Sequence, residues 1–254
     1  MIDLSLRLIL SAFLALFQIP AGSGLPLLQL PMGGITTSGG GSNPAFVQAA
    51  ANHCATATTC AITVSAVGAG HGLYVVCLST GSCSTPTATG ETFSTFTGTS
   101  GCQDFTADFM QCWIVSSTVG GETSISVNTS GSASIMGCAV EFTRPQALAT
   151  PKDAGGHGEN AGATSFSVST SAATTVQNDF VIGAFGSFAA GNANPFTVGG
   201  GYTQATNDNF GAGQNGQLLC EYVLSGTSLA VQTATATNAG TSARATYSIL
   251  AVKP

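Results

Sequence analysis

Apolar residues in this chain come in short runs separated by clusters of Ser, Thr and Gly. Ile62 and Val64 alternate with polar neighbours, the pattern of a half-buried strand. Leu73 to Leu78, Met110 to Val115 and Met136 to Phe142 are continuous apolar stretches and predict central strands. Asp179 to Phe185 and Leu218 to Leu224 do the same in the second half. Val119-Gly120-Gly121-Glu122 and Ser130-Gly131 supply turns between the first set. Beyond the N-terminal region no stretch combines a 3.6-residue period with helix formers. Short strands with turn signals roughly every 8–12 residues predict an all-β fold, a β-sandwich of jelly-roll or Ig-like type.

The pattern is made twice. Cys112 to Pro145 is echoed by Cys220 to Pro254: Cys112 answers Cys220, Val115 answers Val223, and Arg144-Pro145 answers Lys253-Pro254. Within this echo Ile125 and Val127 align with Leu229 and Val231. Upstream, AITVS (Ala61 to Ser65) answers SFSVS (Ser165 to Ser169), LYVV (Leu73 to Val76) answers FVIG (Phe180 to Gly183), and Phe93 answers Tyr202. The offset stays between 104 and 109 residues across these pairs. A near-constant offset predicts tandem related β units of ordinary domain size. The boundaries that follow are unit 1 at 45–149 and unit 2 at 164–254. Residues 150–163, the most polar stretch, read as a linker between them. Ala189 to Phe210, carrying Asn192, Asn194, Asn207, Asp208 and Asn209, reads as a long loop of the kind that carries binding function on a rigid scaffold.

Ahead of the units, Arg7 precedes the apolar run Leu8 to Phe17, then Pro20 and the small residues Ala21 to Gly24. Residues 1–21 read as a signal peptide or hydrophobic anchor; the run is short for a bilayer span, and Asp3 cancels the positive n-region. Residues 22–44 read as an extended arm, with Leu25, Leu27, Leu28 and Leu30 between prolines and a Gly-rich tail.

Composition narrows the function classes. Charged residues are 6% of the chain, against about 25% in an ordinary globular protein, while 44% are hydrophobic. High hydrophobicity with low charge is the opposite of a disordered composition. Five basic residues and a net charge of −6 disfavour nucleic acid and anionic membranes as partners. A Ser/Thr-rich, nearly uncharged surface is common in secreted or assembled β proteins.

Eight cysteines in such a chain point to disulfides. Cys54 and Cys60 bracket a short loop, and Cys83 and Cys102 lie in turn-rich sequence, so these are the predicted pairs. Seven cysteines fall in unit 1, an odd number. Either Cys220 bridges the units or a thiol stays free in each; the expectation is a free Cys220 buried where Cys112 sits in unit 1. His53, Cys54, Cys60 and His71 fit no zinc spacing. Asp104 with Asp108, and Asp153 with Glu159, fit no calcium loop and read as solvated acids. No metal or cofactor is expected. Catalytic motifs are absent from the sequence, with no G-x-S-x-G, H-E-x-x-H or phosphate loop. For a carboxylate pair of the glycosidase kind, Glu91, Glu141 and Glu221 are the residues to test, Glu141 and Glu221 being read as outward-facing strand residues. Trp113, the only tryptophan, reads as second-face core or as an exposed aromatic for stacking on sugars.

AITVS at Ala61, GLYVV at Gly72, TGETF at Thr89, CWIV at Cys112 and GCAVEF at Gly137 are followed by the echo NDFVIG at Asn178 and GGGYT at Gly199. In that order they resemble a family of uncharacterised exported proteins of bacteria and phage virion modules, over roughly residues 45–254. The resemblance implies a β-sandwich surface or particle protein and brings no functional residues with it; the many cysteines depart from it. The expectation is a non-catalytic extracellular, cell-surface or virion protein, assembling with copies of itself through the arm. A secreted carbohydrate-binding module is the alternative.

Overall fold

A computed structural model describes residues 43–95, 109–144, 150–188, 194–211, 216–227, 229–239 and 243–254. These fall in one compact unit, Gly41–Pro254. The predicted signal segment and arm (including Leu25, Leu27, Leu28 and Leu30), and Cys102, Asp104 and Asp108, lie outside the described residues.

The described residues contain fourteen strands and no helix. They are β1 (Ala45–Thr63), β2 (Gly72–Ser79), β3 (Cys83–Thr87), β4 (Ser94–Thr95), β5 (Phe109–Val115), β6 (Ser124–Thr143), β7 (Lys152–Ala163), β8 (Ser165–Ser169), β9 (Phe180–Ser187), β10 (Phe196–Val198), β11 (Thr203–Asn209), β12 (Gln217–Leu224), β13 (Thr233–Asn238) and β14 (Ala243–Val252). Every ladder is antiparallel. The first sheet runs β1-β6-β2-β5-β4, with β3 on β6; the second runs β11-β12-β9-β14-β7; the third, smaller one runs β10-β13-β8.

In the first half, β1 and β6 pair along their whole length, but the register breaks where Ala57↔Ala133 is followed by Thr59↔Asn128. Two steps on β1 oppose five on β6. Such an excess bends a ribbon, and here it folds the far part of β1 and β6, with β3, back over the sheet. Gly137 marks the crossing. A Cβ there would lie 2.7 Å from Val127 Cγ2 and 2.8 Å from Ile62 Cδ1, so only glycine lets the overlying strands come this close. Ile62, Val127, Leu73, Val75, Trp113 and Ala139 fill the layer between. Backbone groups at the bend are taken up by side chains. Gln48 accepts from Ser65 N and donates to Ser65 O, and Asn52 Nδ2 donates to Ala61 O at 2.7 Å.

The second half uses two separate strands where the first bends one. Read from its other edge, the large second sheet runs β7-β14-β9-β12-β11, position for position the order of the first, and β8-β13-β10 covers it as the folded-over ribbon and β3 cover the first. Phe166, Phe185, Phe196, Leu219, Ala234 and Ala251 fill this outer layer.

Between the two large sheets lies a third core, to which both halves contribute. Strand alternation decides which residues enter it. Tyr74, Val76 and Leu78 of β2 face it, as do Phe180, Ile182 and Ala184 of β9, Leu218 and Cys220 of β12, and Leu250 and Val252 of β14. An aromatic row crosses one end: Phe46 stacks on Tyr222 and Phe142 on Phe180, both at 4.5 Å, with Phe180 and Tyr222 at 5.4 Å. The central strands are thus covered on both faces, which is why LYVV, FVIG and CWIV read as unbroken apolar runs.

Three expectations need correction. Residues 150–163 are not a linker, because Lys152–Ala163 is strand β7 and pairs with β14. Its polarity misled, since its glycines are there for packing: a Cβ on Gly156 would strike Ser169 O. The stretch 189–210 is not one loop, since β10 and β11 lie in it. Leu229 and Val231 are not the counterparts of buried Ile125 and Val127: they are 53% and 51% exposed. The strand paired with β8 begins at Thr233, and its Ala234 and Ala236 are the buried residues.

Candidate functional site

The cysteines face the two inner surfaces that alternation assigns them. Cys54–Cys60 is bonded. Cys83 is bonded to Cys77 and not to Cys102. Cys77 lies on the face of β2 that the folded-over layer covers, and the turn after Ser79 returns Cys83 above it, with Cα atoms 6.2 Å apart. Cys220 is not a free thiol. It and Cys138 both point into the central core, from β12 and β6, and their bond joins the two halves. Cys112 is also oxidised, and no cysteine among the described residues is free. These disulfides fit an oxidising, extracellular environment.

Trp113 is fully buried in the outer core of the first half, so it is not available to stack on a sugar. Among the asparagines of the second half, Asn207 donates to Phe196 O and Asn209 accepts from Gly211 N. Asp208 pairs with His53 Nδ1 at 3.0 Å, beneath Phe210, which ties β11 to β1. These polar side chains hold the body together.

Two of the three glutamates singled out in the sequence are interior groups rather than outward-facing ones. Glu141, 2% exposed, accepts from His71 Nδ1, Gly68 N and Gln48 Nε2. It fastens the 64–71 loop to β1 and β6, leaving no free oxygen for a substrate. Glu221 is fully buried beneath the third sheet; Oε2 accepts a long bond from Gly199 N while Oε1 has no partner. Burial pushes its carboxyl up to about 7. The same burial raises the phenol of nearby Tyr202. In the second half Asp153 accepts from Thr175 and Val176 and lies 3.7 Å from Lys253 Nζ. Asp179, fully buried beside it, is pushed up to about 8 by burial and by the Asp153 carboxyl. Glu159 pairs with Arg244 at 3.0 Å and is apart from Asp153.

Glu91, the third, is half-buried and follows Thr89 and Gly90, which with Val119, Gly120, Glu122 and Ser124 line a cleft of about 380 Å³. Two glycine turns build it. Gly90 (φ 77°) closes the turn from Ala88 to Glu91, and Gly120 (φ 94°) packs on Ala69, where a Cβ would come within 2.7 Å of the backbone N. Glu91 Oε1 accepts from Val119 N at 2.7 Å. Glu122 is only 6% exposed and is held by backbone bonds on either side: Gly121 N donates to Val67 O, Val67 N to Glu122 O, and Val64 N to Thr123 O. Its Oε2 is buried and accepts no donor. Burial, and then the Glu122 carboxyl after the Val119 N–H, act on Glu91, with the net effect of raising its pKa. Sequence reasoning reached Glu91 but missed Glu122, whose only signal was its place at the end of a Gly-Gly turn.

Comparison with protein-family models, with curated proteins and with solved structures found no match.

Proposed function

We propose that this chain is a non-catalytic extracellular structural protein, a subunit of a filament, surface layer or virion, which assembles through the arm at residues 22–44. The observation that carries this reading is the place of β1. Among the described residues it is an edge strand, paired only with β6, and in the sequence the arm precedes its first residue, Ala45. An apolar segment that precedes an edge strand is suited to strand addition on a neighbouring sheet. Supporting it, the carboxylates of Glu141 and Glu221 and the ring of Trp113 are committed to the interior. The resemblance to exported surface proteins points the same way.

The test is deletion of residues 22–42. Sedimentation and negative-stain microscopy of the full chain should show ordered oligomers. The truncated chain should keep its far-UV circular dichroism and melting temperature but sediment as a monomer. A full chain that is monomeric at high concentration, or a truncated chain that assembles normally, overturns the proposal.

A further inference from the structure

Where strands β7, β14 and β9 lie side by side, their ladders bring three ionisable side chains of the second half into one row. Val252 pairs with Phe180 across β14 and β9, and both look into the central core. One step on, Lys253 is opposite Asp179, and alternation turns both to the outer face. On the other side of β14, Val252 pairs with Lys152 and Ala251 with Ala154, so Asp153 is left without a place in the ladder. A bulge of this kind re-aims a side chain, and the Asp153 carboxylate lies 3.7 Å from Lys253 Nζ. The backbone around the row is fixed: Lys253 N donates to Pro151 O at 2.8 Å, and Asp179 N to Ser225 Oγ at 2.9 Å.

This is more than a surface ion pair. The Asp153 side chain is 1% exposed and Asp179 is fully buried, while Lys253 alone of the three reaches solvent. Asp153 Oδ2 accepts from the backbone N–H groups of Thr175 and Val176, and Oδ1 accepts from Thr175 Oγ1. Neither oxygen of Asp179 accepts from a protein donor. Burial and the Asp153 carboxyl push Asp179 up to about 8, so at neutral pH it carries a proton. An amine, a carboxyl clamped by backbone N–H groups and a buried proton donor therefore share one water-poor row.

We propose that Lys253 and Asp153 condense to an intramolecular amide, with Asp179 as the proton-transfer group. Lys253 passes one ammonium proton to Asp153 Oδ1, and the freed Nζ lone pair attacks Asp153 Cγ. As the N–C bond forms, the carbonyl π pair moves onto Oδ2, where the N–H groups of Thr175 and Val176 hold the charge. Asp179 gives its proton to the Oδ1 hydroxyl and takes one from Nζ. The Cγ–Oδ1 bond breaks, and water leaves past Lys253. An ammonium and a carboxylate become an amide and one water, and Asp179 ends as it began. No oxidant, metal or second reactant is needed. Among the described residues β7 is an edge strand, paired in its ladder with β14 alone. The amide ties it to β14 and resists the local opening to which a singly paired strand is prone.

Mass spectrometry of the full chain, folded and then reduced and alkylated, tests this. A tryptic digest should yield Asp153–Arg244 joined to Ala245–Pro254, lighter by one water than the two peptides together. K253R keeps the positive charge but has no amine to acylate, so its last peptide should be free and at full mass. D179N should form the link about a hundredfold more slowly, with circular dichroism confirming its fold. The melting temperature of the wild type should exceed that of K253R even though both can make the ion pair. The wild-type digest decides the bond whether or not a variant folds: a free Ala245–Pro254 peptide as its main product overturns the proposal. A fragment spectrum that places the link on Asp179 overturns the assignment to Asp153, and D179N that links as fast as the wild type overturns the role of Asp179.

Discussion

Cys138–Cys220 joins positions 82 residues apart, one in each half. In the loop-entropy treatment, closing a loop of that length removes about 4.5 kcal/mol of freedom from the unfolded chain at 25 °C, whereas each six-residue loop removes about 2 kcal/mol. Both sulfurs are buried in the central core, so C138A/C220A removes little volume and leaves the sheets in contact. The double variant should lose roughly 3–5 kcal/mol, somewhat eroded by the remaining disulfides, which already restrict the unfolded chain. Its denaturant slope should rise, because the unfolded state expands. Urea unfolding can be followed by two probes. Trp113, the only tryptophan, reports the outer core of the first half; far-UV circular dichroism reports strands of both halves. The two curves should coincide in the wild type and still coincide in the variant, because Tyr74, Phe142, Phe180 and Leu218 keep the halves in one cooperative core. A loss below about 1 kcal/mol refutes the entropy argument. Separate transitions in the variant refute the common core.

Two other outcomes follow from the interior. Gly137→Ala should cost about 1–3 kcal/mol, since its Cβ meets Val127 and Ile62 under 3 Å and the folded-over ribbon must lift; calorimetry checks it. Glu221 and Asp179 hold protons in the fold, up to about pH 7 and about pH 8, that the unfolded chain releases near pH 4. The folded state then binds more protons than the unfolded one, so their contribution is fully present below pH 4 and is lost as the pH rises to 7–8. E221Q and D179N should each flatten that decline in a series of urea midpoints, and an unchanged slope in both would sink the assignment.

The strand runs were legible in the sequence because the central strands are covered on two faces, which makes apolarity continuous. The two large sheets share one strand order, read from opposite edges. What the sequence hid was set by contact between distant segments. KDAGGHGENAGA looks like a linker because Gly156, which packs on Ser169 O, and Gly158, which packs on the Tyr247 ring, carry no side-chain signal. TATATN shows only two alanines where a buried strand was needed, so Leu229 and Val231 attracted the alignment. Cys77 and Cys138 read as strand interior. They are, but the faces they look onto are covered by other parts of the chain that also carry cysteines. Glu122 could not be paired with Glu91 because nothing in the spacing announces that two glycine turns meet.

Among the described residues the first strand finds its only ladder partner in the sixth. Ala45 lies opposite Thr143, 98 positions later, and Thr63 opposite Ser124, 61 positions later. No neighbouring hairpin can hold β1 while it waits, so the longest ladder of the first half has to close the 61-residue separation of Thr63 and Ser124 before any of its bonds form. Such high contact order places the folding time in the millisecond-to-second range or slower. Until β6 is made and delivered, the edge of β1 is open to pairing with any other extended chain. The route to the native sheet is therefore governed by how quickly two remote segments meet.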